Sequence, residues 1–135
     1  MKRFEQYHVP VIELARDTPK EAVCQVFEKM NQGGVTLTVF ELLTATFAAD
    51  DFELRPDWKE RRRRIRSHSI LAGVANTDFL QAVSLLATRE RRLSALQGGV
   101  GEERAPGVGC KRSDMLRLRL DEYRAWADPL VDGFA

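Results

Sequence analysis

A mainly α-helical fold of about five helices, with one short extended segment near the N-terminus, is predicted for this chain by three observations. Two capping boxes, Thr18 with Glu21 and Thr38 with Glu41, stand just ahead of apolar runs, the arrangement that satisfies the orphan N–H groups of a helix start. Phe79, Leu80, Val83, Leu86 and Ala87 recur at three- and four-residue intervals, the period of an amphipathic helix. Only Tyr7-His8-Val9-Pro10-Val11-Ile12-Glu13-Leu14 reads as extended, and Pro10 there removes a backbone donor, which suits an edge or a lead-in rather than a central strand.

The first helix is expected from Thr18, with Pro19 at its first position and Val23, Val26, Phe27 and Met30 on one face; Asn31-Gln32-Gly33-Gly34 ends it. The second should run from Thr38 to about Ala49 with Leu42, Leu43, Ala45 and Phe47 available for burial. Residues 56–70 predict a surface helix whose few apolar positions, chiefly Trp58 and Ile65, dock it to the core. Asn76 or Thr77 can cap the fourth helix. Residues 97–110 hold five of the nine glycines and no core spacing, so a flexible Gly-rich loop is expected. From Ser113, Leu116, Leu120, Tyr123 and Ala127 follow a helical period while Leu116, Leu118 and Leu120 alternate like a strand; helix with a break near Leu120 is the favoured reading. Pro129 could open a further turn, with Leu130, Val131 and Phe134 seeking burial.

The chain has 135 residues, 44% hydrophobic and 30% charged, which fits one globular domain. No run approaches the roughly 20 apolar residues of a bilayer span, and the start lacks an apolar signal-peptide region, so a cytoplasmic protein with no membrane partner is expected. Cys24 and Cys110 are too few for a disulfide framework, and with only His8 and His68 besides there is no metal-ligand spacing. Residues 1–57 carry 6 basic and 10 acidic groups, residues 58–135 carry 15 and 10. Such asymmetry marks either two solvated surfaces or a nucleic-acid or acidic-partner face in the basic part.

Arg61, Arg62, Arg63, Arg64 and Arg66 concentrate that charge. They are either a solvated helix or a contact to a nucleic-acid backbone, where each neutralised phosphate adds salt-sensitive affinity. Four consecutive arginines spread around a helix, so not all can face one groove. Arg89, Arg91, Arg92, Lys111, Arg112, Arg117 and Arg119 could extend the patch. No catalytic set emerges. Asn31-Gln32-Gly33-Gly34 lacks the Gly-Lys-Ser/Thr of a phosphate loop and reads first as a helix-ending turn, with phosphate binding as the alternative. Asp50 with Asp51, and Asp121 with Glu122, diverge by about 100° on a helix and suit caps. Ser67, His68 and Ser69 lack an oriented base and oxyanion donors, and Cys24 beside an apolar stripe reads as a small buried residue.

One stretch is more specific. Residues 27–42, Phe27-Glu28-Lys29-Met30-Asn31-Gln32-Gly33-Gly34-Val35-Thr36-Leu37-Thr38-Val39-Phe40-Glu41-Leu42, closely resemble the signature F-E-x-hydrophobic-N-x-x-G-x-x-L-[ST]-x-x-E-L of the GmrSD-type restriction endonuclease N-terminal domain family. Phe79-Leu80-Gln81-Ala82-Val83, the run from Lys111 to Leu118 with Tyr123, and Asp132-Gly133-Phe134 look like later helices of that family. The resemblance implies that residues 1–135 are a single partial domain, the helical half of a larger ParB-like α/β plus helical domain. The family's α/β half bears an Asp-Gly-Gln-Gln-Arg motif associated with nucleotide hydrolysis, and its partner or fused domain is often an HNH-type nuclease; neither motif occurs in this sequence. By resemblance, then, this is a non-catalytic portion of a modified-DNA restriction, phage-defence protein that positions DNA or a nuclease partner. Its expected partners are DNA, the absent α/β half or a separately encoded nuclease subunit. No cofactor is expected in this chain; nucleotide and divalent metal belong to the full-length family domain.

The signature positions Phe27, Asn31, Gly34, Leu37, Thr38 and Glu41 each have an architectural reading: Phe27 packs, Asn31 and Gly34 turn the chain, Leu37 docks and Thr38 with Glu41 caps. The functional alternative points Asn31 and Thr36 into the cleft of the complete domain. Two other functions remain: a stand-alone helical module binding nucleic acid through the Arg61–Arg66 run, and an inactive truncated gene product.

Overall fold

A computed structural model describes residues 37–134 continuously, together with residues 13, 15, 17–19, 22, 23, 25, 26 and 29. Among the described residues there are five α-helices and no strand: α1 (Val39–Ala48), α2 (Leu54–Ile65), α3 (Asn76–Gln97), α4 (Arg112–Leu116) and α5 (Leu120–Asp132), with a 3₁₀ turn at Ser69–Leu71. The mainly α class is the one expected. The extended segment at 7–14, apart from Glu13, the turn at 31–34 and the signature positions Phe27, Asn31 and Gly34 lie outside the described residues. Where the first helix was expected, the N–H groups of Ala22 and Val23 donate to the Pro19 carbonyl at 2.9 and 3.1 Å, and residues 22, 23, 25, 26 and 29 have helical backbone.

Helix α1 begins with a complete capping box. The Glu41 N–H donates to Thr38 Oγ1 at 3.2 Å while the Thr38 N–H donates to Glu41 Oε2 at 2.8 Å. Val39, Phe40, Leu42, Leu43 and Phe47 are buried, and Ala45, expected among them, faces solvent. At its end Asp51 adopts φ 54°, a left-handed conformation that Asp tolerates better than most residues with a side chain. That turn lets the Phe52 N–H donate to the Phe47 carbonyl at 3.0 Å and brings the two rings edge to face at 6.1 Å, a hydrogen bond and contact typical of such helix ends.

Helix α2 starts two residues before Pro56, which sits in the first turn where its missing N–H costs nothing. It stops at Ile65 rather than near Ile70. Ser67 Oγ donates to the Arg64 carbonyl at 2.7 Å, a local side-chain bond that competes with helix continuation, and the chain tightens into the 3₁₀ turn. Leu54, Trp58, Arg61 and Ile65 form its buried stripe at spacings of four, three and four.

Helix α3 is capped by neither Asn76 nor Thr77. Instead Asp78 reaches back and its Oδ2 accepts the Ala75 N–H at 2.9 Å. Asp114 does the same for Lys111 at 2.9 Å and Glu122 for Arg119 at 3.0 Å, so three helices start on the rear half of a capping box, with a carboxylate also placed favourably at the positive end of the helix dipole. The break near Leu120 is present at residues 117–119, and Leu118 within it is buried. Pro129 opens no new turn. It lies in the last stretch of α5, where it forfeits one intrahelical bond, and the Gly133 N–H donates to its carbonyl at 2.9 Å; continuing the helix keeps Val131 in the core.

The core is aromatic at its centre. Tyr123, fully buried, touches the rings of Phe47, Phe52 and Phe79 at centroid distances of 5.6, 5.8 and 6.4 Å, and Trp58 meets Phe79 at 5.3 Å. Among the described residues no buried side-chain polar atom lacks a hydrogen-bond partner. The segment between α3 and α4 is irregular, yet its last part is tied to α3. The Gly109 N–H donates to Thr88 Oγ1 at 3.1 Å, Ser84 Oγ donates to the Gly109 carbonyl at 3.3 Å, and Arg92 donates to the Pro106 carbonyl at 3.3 Å.

Candidate nucleic-acid interface

The arginines of α2 divide between its two sides. Arg61 points inward and is 8% exposed. Its guanidinium grips Asp57 through Nε–Oδ2 at 2.7 Å and Nη2–Oδ1 at 3.1 Å, and donates from Nη1 to Asp128 Oδ1 at 2.7 Å. The Tyr123 hydroxyl donates to Asp57 Oδ2 at 2.6 Å, and the Arg61 guanidinium carbon lies 5.8 Å from the Tyr123 ring centre. Burial pulls the Arg61 pKa down, but the hydrogen bonds it donates to Asp57 and Asp128, with the Asp57 charge, outweigh it and raise it further above its ordinary value. Burial, followed by the Asp57 hydrogen bond and charge, pushes the Tyr123 phenol up as well. Arg64 reaches Asp132.

Asp57–Tyr123, Arg61–Asp128 and Arg64–Asp132 therefore form three rungs whose numbers rise together, so α2 and α5 run parallel. Arg61 and Arg64, both candidates for the basic face, belong instead to this ladder, Arg61 buried and Arg64 exposed. No local sequence pattern marks Asp57, Tyr123 and Asp128 as one polar set. The spacing of Asp57 and Arg61, four apart on one helix, was the available signal.

The opposite side of α2 is open. Pro56, Lys59, Glu60, Arg62, Arg63, Arg66 and Ser67 line a surface groove of about 700 Å³. Arg63 is held by Glu60 through bonds of 3.1 and 2.6 Å, which raise the arginine's pKa and lower that of the glutamate. Lys59, Arg62 and Arg66 make no ion pair among the described residues. Four cations and one carboxylate on a single groove leave a net positive strip at the helix C-terminal half, where cations also complement the dipole.

Three of the more distant arginines are engaged elsewhere. Arg91 clasps Glu122 and the Arg117 carbonyl, Arg112 donates to the Leu37 carbonyl at 3.3 Å, and Arg119 pairs with Asp121 at 3.2 Å. Burial raises the Glu122 pKa, but its bonds to Arg91 and the Arg119 N–H hold the carboxyl below its ordinary value. Of the signature positions described, Leu37 accepts the Arg112 bond while Thr38 and Glu41 form the cap; Glu41 is held low by the Thr38 backbone and hydroxyl.

Of the carboxylate pairs, Asp51 makes the turn after α1 and Glu122 caps α5. Among the described residues no three His, Cys, Asp or Glu side chains converge as a metal site, and no helix is long and apolar enough to cross a membrane. Comparison with known family models, curated proteins and solved structures finds no match to this chain.

Proposed function

We propose that the chain is a non-catalytic helical module that holds DNA by its phosphate backbone, as the helical portion of a GmrSD-like modified-DNA restriction, phage-defence protein, with Lys59, Arg62, Arg63 and Arg66 on the contact face. The observation that carries the DNA contact is the groove on the open side of α2, with Lys59, Arg62 and Arg66 lacking ion pairs among the described residues. Phosphate contact of this kind gives affinity without sequence information. Reading of a DNA modification would then fall to a partner, the α/β half or a nuclease subunit of the restriction system, as the resemblance at residues 27–42 implies.

A second reading, a stand-alone nucleic-acid module using the same helix, is supported by the same groove. Titration of a labelled duplex across a salt series tests the contact. The wild-type chain should show log K falling linearly with log salt, and Arg62→Ala with Arg66→Ala should reduce that slope by about two phosphate equivalents, at ~0.9 per phosphate. Absence of salt-dependent binding, or a double variant that binds as wild type, overturns the reading. Affinity that rises when an Asp-Gly-Gln-Gln-Arg-bearing half is supplied separates the restriction component from the stand-alone module.

A further inference from the structure

A few residues beyond the last groove-lining side chain, Ser67, stands an apolar side chain that the fold leaves in water. Ile70 is 94% exposed, at the middle of the Ser69–Leu71 turn that follows α2. The turn around it is tied down on both sides. The His68 N–H donates to the carbonyl of buried Ile65 at 3.1 Å, the Leu71 N–H to the His68 carbonyl at 3.0 Å, and the Val74 N–H to the Leu71 carbonyl at 3.1 Å. Leu71 and Val74 pack against the core. The same short turn thus half-buries one aliphatic residue, Leu71, and presents its neighbour outward. Arg66 and Ser67, which line the groove, stand three to four residues before Ile70.

We propose that Ile70 is a wedge that enters the base stack of a duplex whose phosphates lie along Lys59, Arg62 and Arg66. The proposal rests on the DNA-binding reading above. A duplex has the complementary chemistry: a line of anions flanks apolar base faces, and isoleucine is among the side chains used to part a base step next to basic groups. The β-branch leaves Ile70 few rotamers to lose on insertion. Exposed histidine and serine at positions 68 and 69 surround the tip with small polar groups rather than a continuing apolar face.

The test uses a duplex of alternating TA steps, the kind most easily unstacked, with 2-aminopurine replacing adenines on one strand. Binding of the full chain should raise 2-aminopurine fluorescence severalfold. Ile70→Ala, at a position with no packing to lose, should abolish that rise and weaken affinity while leaving the salt slope unchanged, and Ile70→Leu should restore the signal. Salt-dependent binding without a fluorescence rise, or a rise that persists in Ile70→Ala, overturns the wedge and leaves the groove contact standing. Absence of any salt-dependent binding overturns both. An Ile70→Ala variant indistinguishable from wild type on DNA also overturns the wedge, and loss of a protein complex in that variant would reassign the side chain to a protein partner.

Discussion

Tyr123 and Asp57 share one oxygen between two helices: Asp57 Oδ2 accepts the Tyr123 hydroxyl from α5 at 2.6 Å and Arg61 Nε from α2 at 2.7 Å. The carboxylate thus joins the centre of the aromatic core to the polar ladder. Tyr123→Phe keeps the ring contacts and removes one hydrogen bond to a charged acceptor, so it should cost about 1–2 kcal/mol. Tyr123→Ala also empties the aromatic centre and should cost ~3–5 kcal/mol. Urea denaturation of both variants checks the difference.

Neighbouring arginines of α2 should behave in opposite ways. Arg61→Ala leaves Asp57 without its main partner; because Asp128 is largely exposed and solvent screens that bond, a loss of ~2 kcal/mol is expected rather than the full value of a buried pair. Arg62→Ala and Arg66→Ala should stay within ~0.5 kcal/mol of wild type, as surface positions do. Thermal unfolding of the three single variants reads this directly. A loss of DNA affinity in Arg61→Ala alone would therefore report on folding, whereas the same loss in Arg62→Ala would report on contact.

Stability should fall with acid through Glu122. Its carboxyl is held below the ordinary value of 4.5 in the folded chain, so its contribution is present above that pH and is lost as pH falls through the lower folded value. Glu122→Gln should flatten the acid limb of a stability–pH curve measured between pH 6 and 3. Glu41→Gln should act in the same direction, since that carboxyl is also depressed.

Tyr123 gives the alkaline counterpart. Its phenol is raised above the ordinary value of 10.0, so the folded chain keeps it protonated while the unfolded chain ionises it. The contribution is whole below pH 10 and is lost as pH climbs above it. In a Tyr7→Phe background, phenolate absorbance should appear with unfolding rather than before it.

The end of the Gly-rich segment should be sensitive at one glycine. A Cβ on Gly109 would lie 2.5 Å from Asp114 Oδ2, the same oxygen that caps Lys111. Gly109→Ala should displace the cap and cost about 1 kcal/mol, and Thr88→Val, which removes the acceptor for the Gly109 N–H, should cost a similar ~1 kcal/mol. Gly101→Ala, with open space around it, is the neutral control for both in thermal unfolding.

Much of this fold is legible where a local pattern carries the information. The Thr38–Glu41 box, the Phe79–Ala87 stripe, the docking of Trp58 and Ile65 and the break near Leu120 each follow from residues within a few turns of one another. The inward face of Arg61 is harder to read, because its partners Asp128 and Tyr123 lie more than sixty residues away and a run of like charges hides the Asp57 spacing. The burial of Ser84 and Thr88 is not legible in the sequence, since what makes it tolerable is a carbonyl and an N–H of Gly109 on a distant loop. Of the candidate site, Arg62, Arg63 and Arg66 line the open groove, while Arg61 and Arg64 turn to the ladder. Deciding among them required knowing which side of α2 the core occupies.

The three rungs between α2 and α5 join residues 66, 67 and 68 positions apart, with all of α3 lying between. Closing so long a stretch costs entropy before any rung can form, so the ladder should assemble after the rate-limiting step, once α3 has packed. Its effect then belongs to the lifetime of the folded chain rather than to the speed of reaching it. In stopped-flow experiments Tyr123→Phe should accelerate unfolding and leave the refolding limb almost unmoved, marking the ladder as a latch that is thrown last and must be released first.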